Sequence, residues 1–445
     1  MTAQELLSKI DAPGAAAVLE APYGADGVAA ARARLRGLVE ESVRAFPETA
    51  ADLRVFSAPG RTELGGNHTD HNRGKVLAAS IQLDALAVVS PRSDTKVTFR
   101  STGYPDVVVD IADKAPRKEE LGTTEALVRG IAAEFAARGT PVKGFTATAA
   151  STVLSGSGLS SSAAVEVLFG AIFDGLYGGA ERTALELAQI GQKAENLYFG
   201  KPCGLMDQTA CASGGAVAID FADPAKPVAR SIPFDLSGHG FALCVVDTGG
   251  SHADLTPDYA AVPAEMKAVA ALFGKEVLRD VPKAQLLDRA AEIRKAAGDR
   301  ALLRAIHFCD ENERVDAMLA ALERLPSSDG SAALENYFRL VDESGNSSWE
   351  LLQNVFSPKR PAEQGVSVAL AMTREFLKGG KAGPQGGVRN GACRVHGGGF
   401  AGTIQAYVPL DRVASYVEFL APVFGPKAVT VLRIRPVGAT ELAFG

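Results

Sequence analysis

The sequence predicts an α+β protein of two domains, and three observations carry that reading. At 445 residues the chain exceeds the length at which one hydrophobic core usually stops growing. Strand-like and helix-like apolar periods are mixed from end to end. With 47% apolar and 22% charged residues, neither disorder nor a membrane bundle is expected.

The elements follow in order. Residues 1–50 read as helices, over 6–10 and again over 27–46, where apolar positions fall three and four apart. Residues 54–99 are strand-rich, in the runs RVFSAPGR, VLAASI, LDALAVVS and KVTFR. A helix over 123–137 precedes the strand KGFTATAA. The apolar run 163–178 follows a Gly/Ser cluster and is the clearest helix; another covers 184–199. Strands GAVAIDF and FALCVVDT come next, then a helical block to about residue 352. Strand patterns return in AGTIQAYVP and VTVLRIRP, around a helix at 412–424. The motif-rich half ends near 230–240, so the expected domains are 1–235 and 236–445.

Bulk properties narrow the function. A net charge of −6 leaves no basic surplus to neutralise phosphates, so neither nucleic acid nor a membrane is expected as a partner. No stretch approaches the roughly 18 uninterrupted apolar residues of a membrane span, and the N-terminus lacks signal-peptide order. Cys203, Cys211, Cys244, Cys309 and Cys393 are scattered and form no CxxC, which suits reduced thiols in a cytoplasmic protein.

Three segments carry chemistry. The first is G-S-G-L-S-S-S-A-A, residues 156–164, directly before a helix. Small residues let the backbone approach an anion, and N–H groups at a helix start point at it. Ser160, Ser161 and Ser162 add hydroxyls for phosphate oxygens or Mg²⁺, although a serine-capped loop would look the same. It is neither a Walker A loop nor a GxGxxG fingerprint. The second, residues 58–72, crowds Arg61, Asn67, His68, Asp70, His71 and Asn72 among glycines, as a loop that reads hydroxyls would. Its H-x-x-H lacks the HExxH context and any partner cysteine, which argues against zinc. The third, residues 194–208, places Glu195 and Asp207 in a largely apolar stretch, where a carboxylate needs a partner. Jointly these are the parts of a phosphoryl-transfer site: phosphate donors, metal ligands, a cation and a base.

The sequence resembles the GHMP kinase superfamily and, within it, the galactokinase family. The stretch 60–72 looks like the galactokinase pattern G-R-x-N-L-I-G-E-H-T-D-Y-N, and 154–163 like P-x-G-x-G-L-S-S-S-A. Cys203 to Gln208 is similar to C-G-I-M-D-Q, and 391–402 to the third superfamily motif. The resemblance implies a GHMP kinase fold, with a ribosomal-S5-like N-terminal domain and a ferredoxin-like C-terminal domain. It implies an ATP-dependent, Mg²⁺-requiring sugar-1-kinase, active as a monomer or weak oligomer. Asp207 would be the base and Arg61 the steadying cation. Ser162 and Glu195 would hold Mg²⁺. Gly156, Ser157, Gly158, Leu159, Ser160, Ser161 and Ser162 would wrap the ATP phosphates. Asn67, His68, Asp70, Gly204 and Tyr259 would meet the sugar.

The departures concern the sugar. Asn67 stands where galactokinases carry a glutamate that binds the C6 hydroxyl, His71 replaces a tyrosine, and the N-terminal extension is long. An amide there could donate to a C6 carboxylate, as in galacturonate, yet could equally accept from galactose. Galactose is the expected substrate, with galacturonate as the alternative. A non-catalytic galactose sensor of this superfamily would lack the Ser162-Ala163 step that this chain keeps.

Overall fold

The computed structural model describes residues 1–49, 51–153, 158–250, 255–379 and 390–445. Twelve strands form two sheets among these residues: β1 (Arg54–Gly65), β2 (Lys75–Pro91), β3 (Lys96–Ser101), β4 (Val107–Asp110), β5 (Phe145–Ser151), β6 (Ala216–Asp220), β7 (Val228–Ile232), β8 (Phe241–Asp247), β9 (Ala392–Val395), β10 (Thr403–Pro409), β11 (Val429–Leu432) and β12 (Thr440–Glu441). The first sheet runs β12-β1-β2-β5-β3-β4, with β6 and β7 continuing from the far end of β2. Only the β3–β5 pair is parallel. The second sheet, β11-β8-β10-β9, is wholly antiparallel.

Alternation of side chains along each strand decides what each face covers. On the first sheet Val55, Leu86 and Val88 face the N-terminal helices Ala3–Asp11 and Ala15–Ala45, meeting Leu6, Ile10, Leu35 and Val39. Phe56, Ala87 and Val89 face the other way, into a core filled by helices Thr124–Ala137, Ser161–Phe173 and Ala184–Ala194. On β8, Ala242, Cys244 and Val246 pack toward helices Gly365–Lys378 and Val413–Phe424, while Leu243 and Val245 join the first sheet's core. One side of the second sheet therefore shares its core with the first sheet. The end of β1 lies against β9 and β10, and the site is built on that seam. The chain crosses from the first sheet to the second between Ile232 and Phe241, but β12 returns at the end to pair with β1.

The expected helices and most expected strands are present, with informative differences. VLAASI and LDALAVVS are one strand, because Gln82, the one residue between them, continues the extended backbone. The segment read as a hydroxyl-reading loop is strand as far as Gly65, and only the turn beyond it is loop. Its polar residues mimic a loop in sequence, yet they are buried and paired across the seam: Gln405 Nε2 donates to Thr62 Oγ1 at 2.9 Å, and Thr62 Oγ1 lies 3.0 Å from His396 Nε2. Edge strand β7 escaped notice because its first four residues are exposed and mostly not strongly apolar. Strands β4, β9 and β12 and helix Gly365–Lys378 are further additions.

Candidate active site

Arg61 emerges from β1 almost fully buried, and its Nε donates to Asp207 Oδ1 at 2.8 Å. Its Nη1 donates to the Gly158 carbonyl, and its backbone N–H donates to the Leu159 carbonyl at 3.1 Å. Asp207 is the second residue of helix Met206–Ser213 and remains partly open to solvent. Its second oxygen accepts from Ser160 Oγ at 2.5 Å. Burial pushes the Asp207 carboxyl upward, but the Arg61 charge and the bonds from Arg61 and Ser160 outweigh it and hold the group below its ordinary range. The result is an ionised carboxylate oriented by two donors, with a cation alongside.

The phosphate-loop candidates divide. Gly156 and Ser157 lie outside the described residues. Gly158 and Ser160 both adopt left-handed backbone, at φ 72 and φ 59, so the chain turns sharply into helix Ser161–Phe173. Leu159 turns its side chain into the core. Ser161 and Ser162 occupy the first turn of the helix, where backbone N–H groups have no helical partner, and Ser162 is exposed. Such a start, with Arg61 bonded to the carbonyls of Gly158 and Leu159 just before it, suits an anion.

Glu195 opens a π-helical turn, Glu195–Phe199, that follows helix Ala184–Ala194, and is buried. Gln208 Nε2 bridges it to a second buried carboxylate, donating to Glu195 Oε2 at 3.0 Å and to Glu166 Oε2 at 2.9 Å. Lys201 Nζ meets the other Glu195 oxygen at 3.2 Å. Glu166 lies one helical turn after Ser162, so the two share a face. Its Oε1 is buried with no hydrogen-bond partner among the described residues, and burial beside Glu195 pushes its carboxyl well above the ordinary range. A hydroxyl, a carboxylate and an unspent carboxylate oxygen are the hard donors Mg²⁺ takes, with water and phosphate completing its shell. The residues fit that ion. The sequence reading missed Glu166; its position in an apolar helix face, four residues after Ser162, was the available signal.

Of the residues expected to meet the sugar, Asn67, His68 and Asp70 follow β1. His68 has left-handed backbone at φ 59, and its Nε2 lies 2.9 Å from the Gly398 carbonyl. Burial lowers its pKa to about 4, so the ring is neutral at pH 7. A nitrogen facing a carbonyl must carry the proton, which leaves Nδ1 as an acceptor. Asp70 stands over Gly204, where a Cβ would strike Asp70 Oδ2, so only glycine lets the two approach. Tyr259 Oη donates to the Gly399 carbonyl at 2.9 Å and props the third-motif loop. Asn67 stands apart: its side chain is fully buried and bonded entirely to protein atoms, so it presents nothing to a ligand. Among the described residues no group of three His, Cys, Asp or Glu side chains is placed to share a metal.

Known proteins resemble this chain in sequence and in fold. Residues 126–215 match the family described as GHMP kinases N terminal domain, and residues 43–91 match the galactokinase galactose-binding signature. The chain is 35% identical over 403 residues to a galactokinase of Streptomyces coelicolor, covering 87% of this chain and 94% of the relative. It is 31% identical over 377 residues to a galactokinase of Actinobacillus pleuropneumoniae, covering 84% and 89%. In structure it resembles Lactococcus lactis galactokinase complexed with galactose, at a TM-score of 0.73 and 24% identity, over 90% of this chain and 98% of that one. Methanococcus jannaschii mevalonate kinase shares the fold at a TM-score of 0.58 and 13% identity, over 86% and 99%. Extended likeness to the first two relatives, on a GHMP kinase fold that carries the family motifs, makes the chain a member of the galactokinase family.

Proposed function

We propose that the protein is an ATP-dependent galactokinase that transfers the γ-phosphoryl group of ATP to the anomeric hydroxyl of galactose. The observation that carries the mechanism is the Arg61–Asp207 pair at 2.8 Å, set beside the turn at Gly158 and Ser160. Asp207 takes the proton from the sugar O1, O1 forms a bond to the γ-phosphorus, and the bond from phosphorus to the ADP oxygen breaks. Arg61 holds Asp207 in its ionised form and offers positive charge to the moving phosphoryl group. The helix start at Ser161 and Ser162, with the turn before it, cradles the phosphates. Ser162 and Glu195 would hold Mg²⁺, with Glu166 bonded through Gln208 to the same cluster as Glu195. When bound, the ion neutralises charge on the phosphates.

His68 and Asp70 position the sugar, and Gly204 leaves room for Asp70. The five cysteines are all free, which supports a reducing, cytoplasmic setting, and no helix among the described residues is long and apolar enough to cross a membrane.

The test is coupled ADP release with galactose, galacturonate, N-acetylgalactosamine, glucose and arabinose. Turnover led by galactose is expected. ADP release with none of them would remove the galactokinase reading.

A further inference from the structure

The galactokinase pattern at the end of β1 has asparagine, then glutamate four residues on; this chain has Glu63, then Asn67. The same two side-chain types are exchanged, and in the fold they touch. Asn67 Nδ2 donates to Glu63 Oε1 at 3.2 Å. The exchange moves a negative charge from the turn onto the strand. There it has a counter-ion, because Arg394 of β9 donates through Nη2 to Glu63 Oε1, with both side chains buried. Without that arginine the buried carboxylate would be costly.

Asn67 uses its full hydrogen-bonding capacity on the protein. Beyond Glu63, its Nδ2 donates to the Gly397 carbonyl at 2.6 Å. Its Oδ1 accepts from Asn354 Nδ2 at 2.8 Å and Ser348 Oγ at 3.3 Å. An amide has two donor and two acceptor positions, and all four are filled. The neighbouring His68 is tied to the Gly398 carbonyl. The turn that presents His68 and Asp70 is thereby fastened at consecutive carbonyls to the loop that joins β9 and β10 of the second sheet.

We propose that Glu63, Asn67 and Arg394 form a buried latch between the two sheets, in which Asn67 positions the sugar-binding turn and does not itself read the C6 group. The proposal rests on the galactokinase reading of the site. It assigns the sugar's C6 preference to residues other than position 67, and makes positions 63 and 67 one energetic unit.

The experiment compares Asn67→Glu, Glu63→Asn and the double variant by thermal melting and by steady-state kinetics on galactose and galacturonate. Asn67→Glu sets two carboxylates on one arginine; it should lower the Tm by several degrees and raise the galactose KM by about tenfold, with the ATP KM within about twofold. The double variant keeps one charge and one amide, and should regain most of both losses with the galactose-to-galacturonate preference of the unaltered protein. A double variant no better than Asn67→Glu overturns the latch. So does an Asn67→Glu protein of normal Tm whose sugar preference changes by an order of magnitude or more, because position 67 would then read C6 directly. Should Asn67→Glu fail to fold, a folded and active double variant supports the latch, and its absence overturns it. If the unaltered protein phosphorylates neither sugar, the galactokinase reading fails separately. The melts then decide alone: coupled effects at 63 and 67 support the latch, and additive ones overturn it.

Discussion

Asp207 and Glu311 show how partners and exposure set what a carboxylate does. Asp207 is held ionised by Arg61 and Ser160 and stays partly open, as the proposed base must be. Asp207→Asn should lower kcat by roughly 10²–10⁴-fold in a folded protein, measured by coupled ADP release. Near-normal turnover would remove it from that role. Glu311, on the long helix Asp299–Glu323, is fully buried and accepts from the Gly66 N–H at 3.1 Å and from Ser344 Oγ at 2.7 Å. Burial pushes its carboxyl up, but Arg314, His307 and Arg394 pull harder and hold it at about 2. A folded pKa below the unfolded value means the stabilisation is complete above the ordinary carboxylate range and is lost as pH falls toward 2. The difference amounts to about 3 kcal/mol. Glu311→Gln should be less stable at pH 7, and its denaturant midpoint should converge on that of the unaltered protein as pH approaches 2. Parallel curves across that window would show that Glu311 is not held as described.

At the scale of elements, the site is a set of terminations: the end of β1, the starts of two helices and a π turn after a third. Terminations leave backbone groups unpaired, which is why they serve a ligand. They also demand close approach, as where Gly204 passes Asp70. Gly204→Ala should displace that carboxylate and raise the galactose KM by about tenfold while the ATP KM stays unchanged. Equal change in both KM values would mean that the substitution disturbs the helix start carrying Asp207 rather than the sugar side. The segment 58–72 looked like a loop because density of polar residues usually marks one. Here the polarity belongs to a strand between two layers, and its partners, Arg394, His396 and Gln405, come from more than 300 residues away in sequence. No local pattern could have revealed them.

At the scale of the whole molecule, the N-terminal extension is part of the fold. Its helices cover one face of the first sheet, and they bring Tyr23 and Arg34 to Asp84, a fully buried carboxylate on β2. Asp84 also faces Arg435 at 3.4 Å. Arg34 Nη1 reaches Thr152 Oγ1 at 3.2 Å, near the start of the phosphate loop. Arg34→Ala removes one of two cations from a buried acid and should cost about 3 kcal/mol, read as a lowered Tm. An unchanged Tm would show that Arg435 alone satisfies Asp84.

Much of this protein was determined by the sequence itself. Apolar period placed the principal helices, because burial of one face requires that spacing whatever lies opposite. Glycines and small residues marked the proposed anion-binding turn, since small side chains let a backbone approach a ligand closely. The joint order of four motifs pointed to the Arg61–Asp207 pair and to the family. Tertiary structure alone decided how the polar residues divide between ligand and protein. Asn67 and Asp70 lie three residues apart and look equally available, yet one is spent inside the seam and the other stands over Gly204. Glu166 and Glu195 become a pair only when two helices bring both within reach of Gln208. A side chain's type sets which bonds it can form, but whether those bonds are already taken depends on residues hundreds of positions away, which only the packed chain brings near.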